Sequence, residues 1–316
     1  MVERLAAFTR GNRWIWPLIG IVILWAVLAG MTARFSLHSL SGVAVSASFL
    51  LLPALGQMLV ITTGKGNIDL SIPSVVTLSA YLSVTTASGG NFGFLLTLLV
   101  VLGVTTVVGL SNAFLVLVVR IPAMIATLAT GYILATATLI VNAKVGMFTK
   151  PPLLTFLSTG RLGSFPVMCV IGLFAAALTA WLLVRTAYGR MLFAVGQSDE
   201  AARLAGIRVG PIIASTFVAS AVMSGVTGVL LSGYAGGAFL EMGTPYLLQS
   251  VGAVVLGGTL IAGGSATALG TLFGGMLLVM IVTTMQIAGL PPGAQDILQG
   301  TIIILVLSVA GTRTGR

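Results

Sequence analysis

Ten stretches of this chain run almost without charge, at about 14–32, 42–62, 72–88, 93–119, 121–142, 166–184, 210–235, 245–262, 267–286 and 297–311. A helix that crosses about 30 Å of hydrocarbon needs about 20 mostly apolar residues, so each stretch predicts one membrane helix. Charged residues make up only 7% of the chain, whereas soluble domains carry roughly 25%. A soluble fold of this size could not cover its surface with that composition. The expected fold is all-α: one polytopic transmembrane domain over 1–316, of about ten helices.

The basic residues set the orientation. With the N-terminus inside, one side holds Arg4, Arg10, Arg13, Lys65, Arg120, Arg185, Arg190, Arg203, Arg208, Arg313 and Arg316, and the other only Arg34, Lys144, Lys150 and Arg161. The excess lies on the cytoplasmic side, as the positive-inside rule requires. Both termini are then cytoplasmic, and the net charge of +9 is a loop property rather than a nucleic-acid footprint. The first apolar run, from Trp14 to Met31, follows Arg4, Arg10 and Arg13 as a signal peptide would. No small-residue cleavage site follows it, so it reads as an uncleaved helix. The single Cys169 excludes an internal disulfide or a cysteine metal site, and His38 reads as a solvated loop residue. No HExxH pair or GxSxG elbow is present, so the chain does not read as an enzyme.

Two segments interrupt the apolar pattern, near 64–74 and 236–245. Asp69-Leu-Ser-Ile-Pro73 and Glu241-Met-Gly-Thr-Pro245 each place an acid four residues before a proline, where a helix can begin. Further proline starts follow at similar distances, at Pro122 and Pro291. The pattern suggests an inverted repeat of helices 2–5 and 7–10 with broken helices at its centre. Broken backbone at membrane depth is tolerated only inside protein or beside a water-filled cavity. Asn67, Asp69 and Ser71 in the first break are therefore candidates for a translocation path, and equally for capping a helix start. Asn112, Thr127, Thr130 and Gln249 are polar positions within spans and join the candidates. No span carries a chain of ionisable groups of the kind that marks proton-coupled carriers. A neutral, hydroxyl-rich solute suits such a lining.

The loop at 185–209 concentrates charge between two long spans. Ser198 is a good N-cap, Asp199 and Glu200 then fall in the first turn, and Gly206 suits the stop. Ala201, Leu204 and Ala205 form a small apolar face on a helix too short to be stable alone. Such a face fits a groove on a partner protein. The alternative is a helix resting on lipid headgroups, to which an alanine face gives little affinity.

The segments Gly189-Arg-Met-Leu-Phe-Ala-Val-Gly196 and Glu200-Ala-Ala-Arg-Leu-Ala-Gly-Ile207 resemble the coupling loop of ribose-type permease subunits of ABC importers. Asn67-Ile-Asp-Leu-Ser71, Ile121-Pro-Ala-Met-Ile-Ala-Thr-Leu128, Ala253-Val-Val-Leu-Gly-Gly258 and Ala262-Gly-Gly264 with Leu269-Gly-Thr-Leu272 follow the family's order. The resemblance implies the membrane subunit of an importer in the bacterial inner membrane, surrounded by lipid. Gly189, Arg190, Glu200, Ala201, Ala202, Leu204, Gly206 and Ile207 would meet a separate ATP-binding subunit, which holds the ATP, so the chain itself needs no cofactor. It also implies a second or sister permease and a periplasmic solute-binding protein. Expected cargo is a monosaccharide or small polyol; the alternatives are nucleosides or branched-chain amino acids, or a stand-alone secondary carrier. Two departures bear on the solute: Ile72-Pro73-Ser74 replaces the usual Val-Gly-Ser, and Gln249-Ser250 stands where an acid is often found.

Overall fold

The computed structural model describes residues 14–32, 37–87, 90–146 and 148–311. The helices in chain order are α1 (Ile15–Thr32), α2 (Leu37–Thr62), α3 (Ile72–Thr86), α4 (Asn91–Leu117) and α5 (Ala123–Asn142). A short α6 (Pro152–Thr159) and a two-stranded hairpin, β1 (Arg161–Leu162) with β2 (Phe165–Pro166), lead into α7 (Val167–Arg185). Then come α8 (Ala187–Gln197), α9 (Asp199–Leu204), α10 (Val209–Ala235), α11 (Pro245–Leu256), α12 (Ala268–Ile287) and α13 (Pro292–Gly311). Apart from the hairpin the architecture is all-α, and the chain is a multi-pass membrane protein. Its long helices lie where the apolar stretches predict them. His38 belongs to the first turn of α2 rather than to a loop.

Among the described residues, six helices are long and apolar enough to cross a membrane by themselves: residues Leu40–Thr62 of α2, α4, α5, α7, α10 and α12. By contrast α3 and α11 are short, at 15 and 12 residues. At 1.5 Å per residue they reach only about 22 and 18 Å, less than the hydrocarbon thickness. Each begins part-way through the bundle, after a non-helical segment at 63–71 or 236–244.

The central element is α10, which packs on α2, α3 and α4. Helices in lipid gain little from burying apolar surface against one another, so close backbone approach matters more. Gly56 of α2 lies where a Cβ would come within 2.6 Å of the Ser220 Cα, and Gly109 of α4 where one would come within 2.5 Å of the Val218 Cα. The direction follows from the same contacts. The last third of α2 meets the first half of α10 at Gly56 and Ser220, and its middle meets the last turn at Phe49 and Tyr234, whose rings are 5.1 Å apart. The two helices are antiparallel.

The contacts have a further regularity. Exchanging α2, α3, α4 and α5 for α10, α11, α12 and α13 leaves the pattern of helix contacts intact. α10 packs on α3 and α4 as α2 packs on α11 and α12, and α3 packs on α4 and α5 as α11 packs on α12 and α13. The hydroxyls needed for this small-residue packing are absorbed locally: Thr62, Thr105 and Thr227 each donate to a carbonyl one turn back. That back-bonding lets these threonines sit inside the bundle without unpaired donors.

Candidate functional site

The charged loop folds as two short helices. The Thr186 hydroxyl accepts from the Gly189 N–H and starts α8, which turns sharply off α7; a Cβ on Gly189 would lie 2.1 Å from the Leu183 carbonyl oxygen. The Ser198 hydroxyl then accepts from the Ala201 N–H at 3.2 Å and caps α9. Asp199 and Glu200 occupy the first turn of α9 and Arg203 its last, as the helix dipole favours. Gly206, at φ +81°, ends the turn: its N–H donates to Arg203 and the Ile207 N–H to Ala202. The separate α8 was not foreseen, although Thr186 followed by Gly189 carried the capping signal.

One side of α9 is turned into the chain and the other into open space. Ala202 is buried, while Glu200, Ala201 and Ala205 are exposed and Leu204 is 91% exposed. Arg190 is exposed on α8, Gly189 is buried and Ile207 is half-buried. The Asp199 carboxylate accepts from the Lys65 ammonium at 2.6 Å and lies 3.6 Å from Arg203. The Lys65 hydrogen bond holds the Asp199 carboxyl below the usual carboxylate range. On α8, the Tyr188 hydroxyl and the Ser215 hydroxyl share a hydrogen bond of 2.8 Å that ties the loop to α10. Burial pushes that phenol up, so it stays neutral.

Behind α9 three backbone segments meet. The Gly264 N–H donates to the Thr62 carbonyl at 3.0 Å. A Cβ on Gly196 would stand 1.9 Å from that same carbonyl oxygen and 2.4 Å from the Gly264 nitrogen. A Cβ on Gly64 would meet the carbonyl oxygens of Gly196 and Ala262 at 2.9 and 3.0 Å, and one on Gly263 would stand 2.4 Å from the Gly64 Cα. Only residues without a side chain pack this closely. The junction therefore joins the charged loop at 196–197 to the first break at 62–66 and to the turn at 257–267 that links α11 to α12.

The first break returns into the bundle beside α2 and α10. The Asp69 N–H donates to the Gln57 side-chain oxygen at 3.1 Å, and the Asp69 carboxylate accepts from the Ser71 N–H and hydroxyl and from the Ser220 hydroxyl at 2.7 Å. Asn112 donates to the Ser71 hydroxyl at 3.0 Å, and Thr127 accepts from the Leu70 N–H at 2.9 Å. Ser220 lies eleven residues into α10, about 16 Å along the helix axis, so this cluster sits deep in the bundle. Asn67, Asp69, Ser71, Asn112, Thr127 and Thr130 are all buried around the start of α3. Gln249 is half-buried on α11 and not among them. Gln57 and Ser220 belong to the cluster but did not stand out in sequence, because each falls alone inside an apolar run.

The second break meets the first turns of α3. The Gly243 N–H donates to the Thr77 hydroxyl at 3.0 Å, and a Cβ on Gly243 would stand 1.9 Å from the Pro73 carbonyl oxygen. Two helix starts, of α3 and α11, thus lie side by side within the bundle.

Residues 39–307 match the family described as branched-chain amino acid transport system / permease component. The chain belongs to this permease family. It is 32% identical over 306 residues to the autoinducer 2 import system permease protein LsrC of Yersinia pseudotuberculosis serotype O:1b (strain IP 31758), covering 96% of the permease and 86% of that relative. The LsrC protein of Yersinia pestis (strain Pestoides F) is similar to the same degree, 32% over 306 residues. No solved structure matches the permease. The relatives are transport permeases rather than enzymes, and the ribose-type importer permeases that the sequence motifs resemble are the family of this chain.

Proposed function

We propose that the permease is the translocation subunit of an ATP-driven importer for a monosaccharide or related small polyol. The observation that carries this reading is the identity, sustained over 96% of the chain, to permeases named for autoinducer 2 import. In this reading the exposed face of α9, with Glu200, Ala201 and Leu204, inserts into a groove of an ATP-binding subunit, which binds the ATP. ATP-driven closure of two such subunits moves α9, and the glycine junction passes that movement to the first break and to the turn between α11 and α12. A second permease copy or a sister chain completes the path, and a solute-binding protein delivers cargo to the opposite face.

The ten helices α1–α5, α7 and α10–α13 are then ten membrane passages or parts of passages in the inner membrane, with both termini and the charged loop cytoplasmic. The exchange symmetry of the helix contacts and the antiparallel α2 and α10 support an inverted repeat of helices 2–5 and 7–10. The family description favours a second reading, a branched-chain amino acid as cargo.

The docking claim is tested by Glu200→Arg and Gly206→Val. Each should abolish uptake in cells and the recovery of the ATP-binding subunit with the tagged permease, while the permease stays in the membrane. Uptake retained by both variants would sink the claim.

A further inference from the structure

The exchange that relates α2–α5 to α10–α13 makes the breaks at 63–71 and 236–244 counterparts, yet the fold holds them very unequally. The first is tied to four helices. Its Asp69 N–H donates to Gln57 of α2, and its Asp69 carboxylate accepts from Ser220 of α10. Its Ser71 hydroxyl accepts from Asn112 of α4, and its Leu70 N–H and Ile68 carbonyl both bond the Thr127 hydroxyl of α5. Asp69, Gln57, Ser71, Asn112, Thr127 and Ser220 are at most 1% exposed.

The second break has little to hold it. Among the described residues, the segment 238–244 makes one hydrogen bond to a helix other than the α11 it leads into, from the Gly243 N–H to Thr77. Otherwise it turns on itself, with the Met242 N–H on the Phe239 carbonyl and the Thr244 N–H on the Glu241 carbonyl. Phe239, Leu240 and Glu241 are exposed, and the chain enters the segment through Gly236 at φ +78°. The helix that follows is unequal along its length. A Cβ on Gly274 would stand 2.2 Å from the Ala253 carbonyl oxygen, and one on Gly270 2.1 Å from that of Gly257, so the last turn of α11 is locked to α12. The turn beyond it reaches the glycine junction beside the charged loop. The first turns carry exposed Leu247 and Leu248.

These differences decide which break can part. Opening the first would leave the Asp69 carboxylate and the Asn112 amide unpaired away from water, which is strongly unfavourable. Opening the second breaks a single hydrogen bond, and Thr77 keeps its own bond to the Pro73 carbonyl. Segments with few buried contacts and exposed backbone are the ones that open locally. α10 starts beside the charged loop and runs for 27 residues, about 40 Å, so the segment after it lies on the face opposite α9. We propose that Asp69 is a positioning residue whose knot with Gln57, Asn112, Thr127 and Ser220 holds the start of α3 still, while α11 turns about its anchored end and carries 236–244 away from α3. The drive for that turn, movement of α9 passed through the glycine junction, rests on the importer reading; the unequal hold on the two breaks does not.

The test uses the full permease in lipid vesicles, first alone and then with its ATP-binding subunit, in a Cys169→Ser background so that introduced thiols are unique. Spin labels on Tyr132→Cys and Leu240→Cys report the second break, because both side chains line one depression. Labels on Ile68→Cys and Met124→Cys report the first, on either side of the Thr127 bond. In the permease alone the Tyr132–Leu240 distance distribution should be at least twofold broader than that of Ile68–Met124. With the ATP-binding subunit present, ATP and vanadate should shift the mean of the first pair and leave the second in place. Ser220→Ala should broaden the Ile68–Met124 distribution, whereas Thr227→Ala, whose hydroxyl bonds only its own helix, should not. Equal widths in the permease alone, or an Ile68–Met124 pair untouched by Ser220→Ala, would overturn the inference. Unequal widths without any response to ATP would overturn the importer reading and keep the unequal hold.

Discussion

Gly196→Ala is the sharpest perturbation of the proposed transmission path. The added Cβ would stand 1.9 Å from the Thr62 carbonyl oxygen and 2.4 Å from the Gly264 nitrogen, both backbone atoms that no rotamer change can move aside. Real Cβ contacts hardly occur under 3.0 Å, so the segments must part by at least 1.1 Å. That parting pushes the charged loop away from the Thr62–Gly264 pair, whose hydrogen bond lies against Gly196. Overpacking of this kind costs about 1–3 kcal/mol, which places the closed junction about that far above its present state. At about 1.4 kcal/mol per decade, its closed form falls roughly 5- to 140-fold relative to open forms. The exposed face of α9 is untouched, so the ATP-binding subunit should still be recovered with the tagged chain while uptake falls at least tenfold. Gly210→Ala, which would meet no atom within 4 Å, is the matched control and should transport normally. Uptake by Gly196→Ala within twofold of the control would refute the role of the junction.

Two more outcomes follow from the buried cluster and the ion pair. Ser220→Ala leaves one Asp69 carboxylate oxygen without its partner in a fully buried setting; a loss of about 1–3 kcal/mol should lower the thermal midpoint in detergent, and an unchanged midpoint would contradict the assigned hydrogen bond. The lowered Asp199 carboxyl means that the tether to Lys65 is present above the ordinary carboxylate pKa of about 3.9 and is lost only as pH falls through the still lower folded value. The distance between spin labels at Gly66 and Arg203 should therefore stay constant from pH 8 to 5 and broaden only in stronger acid. Broadening between pH 7 and 5 would refute the pairing. The pair is exposed on its lysine side and contributes about 1 kcal/mol or less, so Asp199→Asn should leave the fold intact.

Much of the loop was legible from local chemistry. Ser198 as a cap, the acids in the first turn and Gly206 as the stop depend on neighbours within one or two turns, and the structure places each as the chain order implies. The helix positions were legible for the same reason, since an apolar run of a given length in a chain so poor in charge has one stable conformation in lipid. The polar residues were harder. Asn67, Asp69, Ser71, Asn112 and Thr127 stood out as candidates, but their identities could not distinguish a solute path from a buried knot. The hydrogen bonds that join them cross between helices separated by up to 151 residues.

Sequence by itself determined what responds to the immediate environment of each residue: which segments are helical, which ends are capped, and where charge must stay in water. Tertiary structure decided what depends on bringing remote backbones together. The junction of Thr62, Gly196 and Gly264 and the contact of Gly243 with Thr77 arise from no local pattern. A glycine reads alike in sequence whether it faces lipid or another glycine, and only the packing of α2, α10 and the two breaks shows which of them the fold cannot replace.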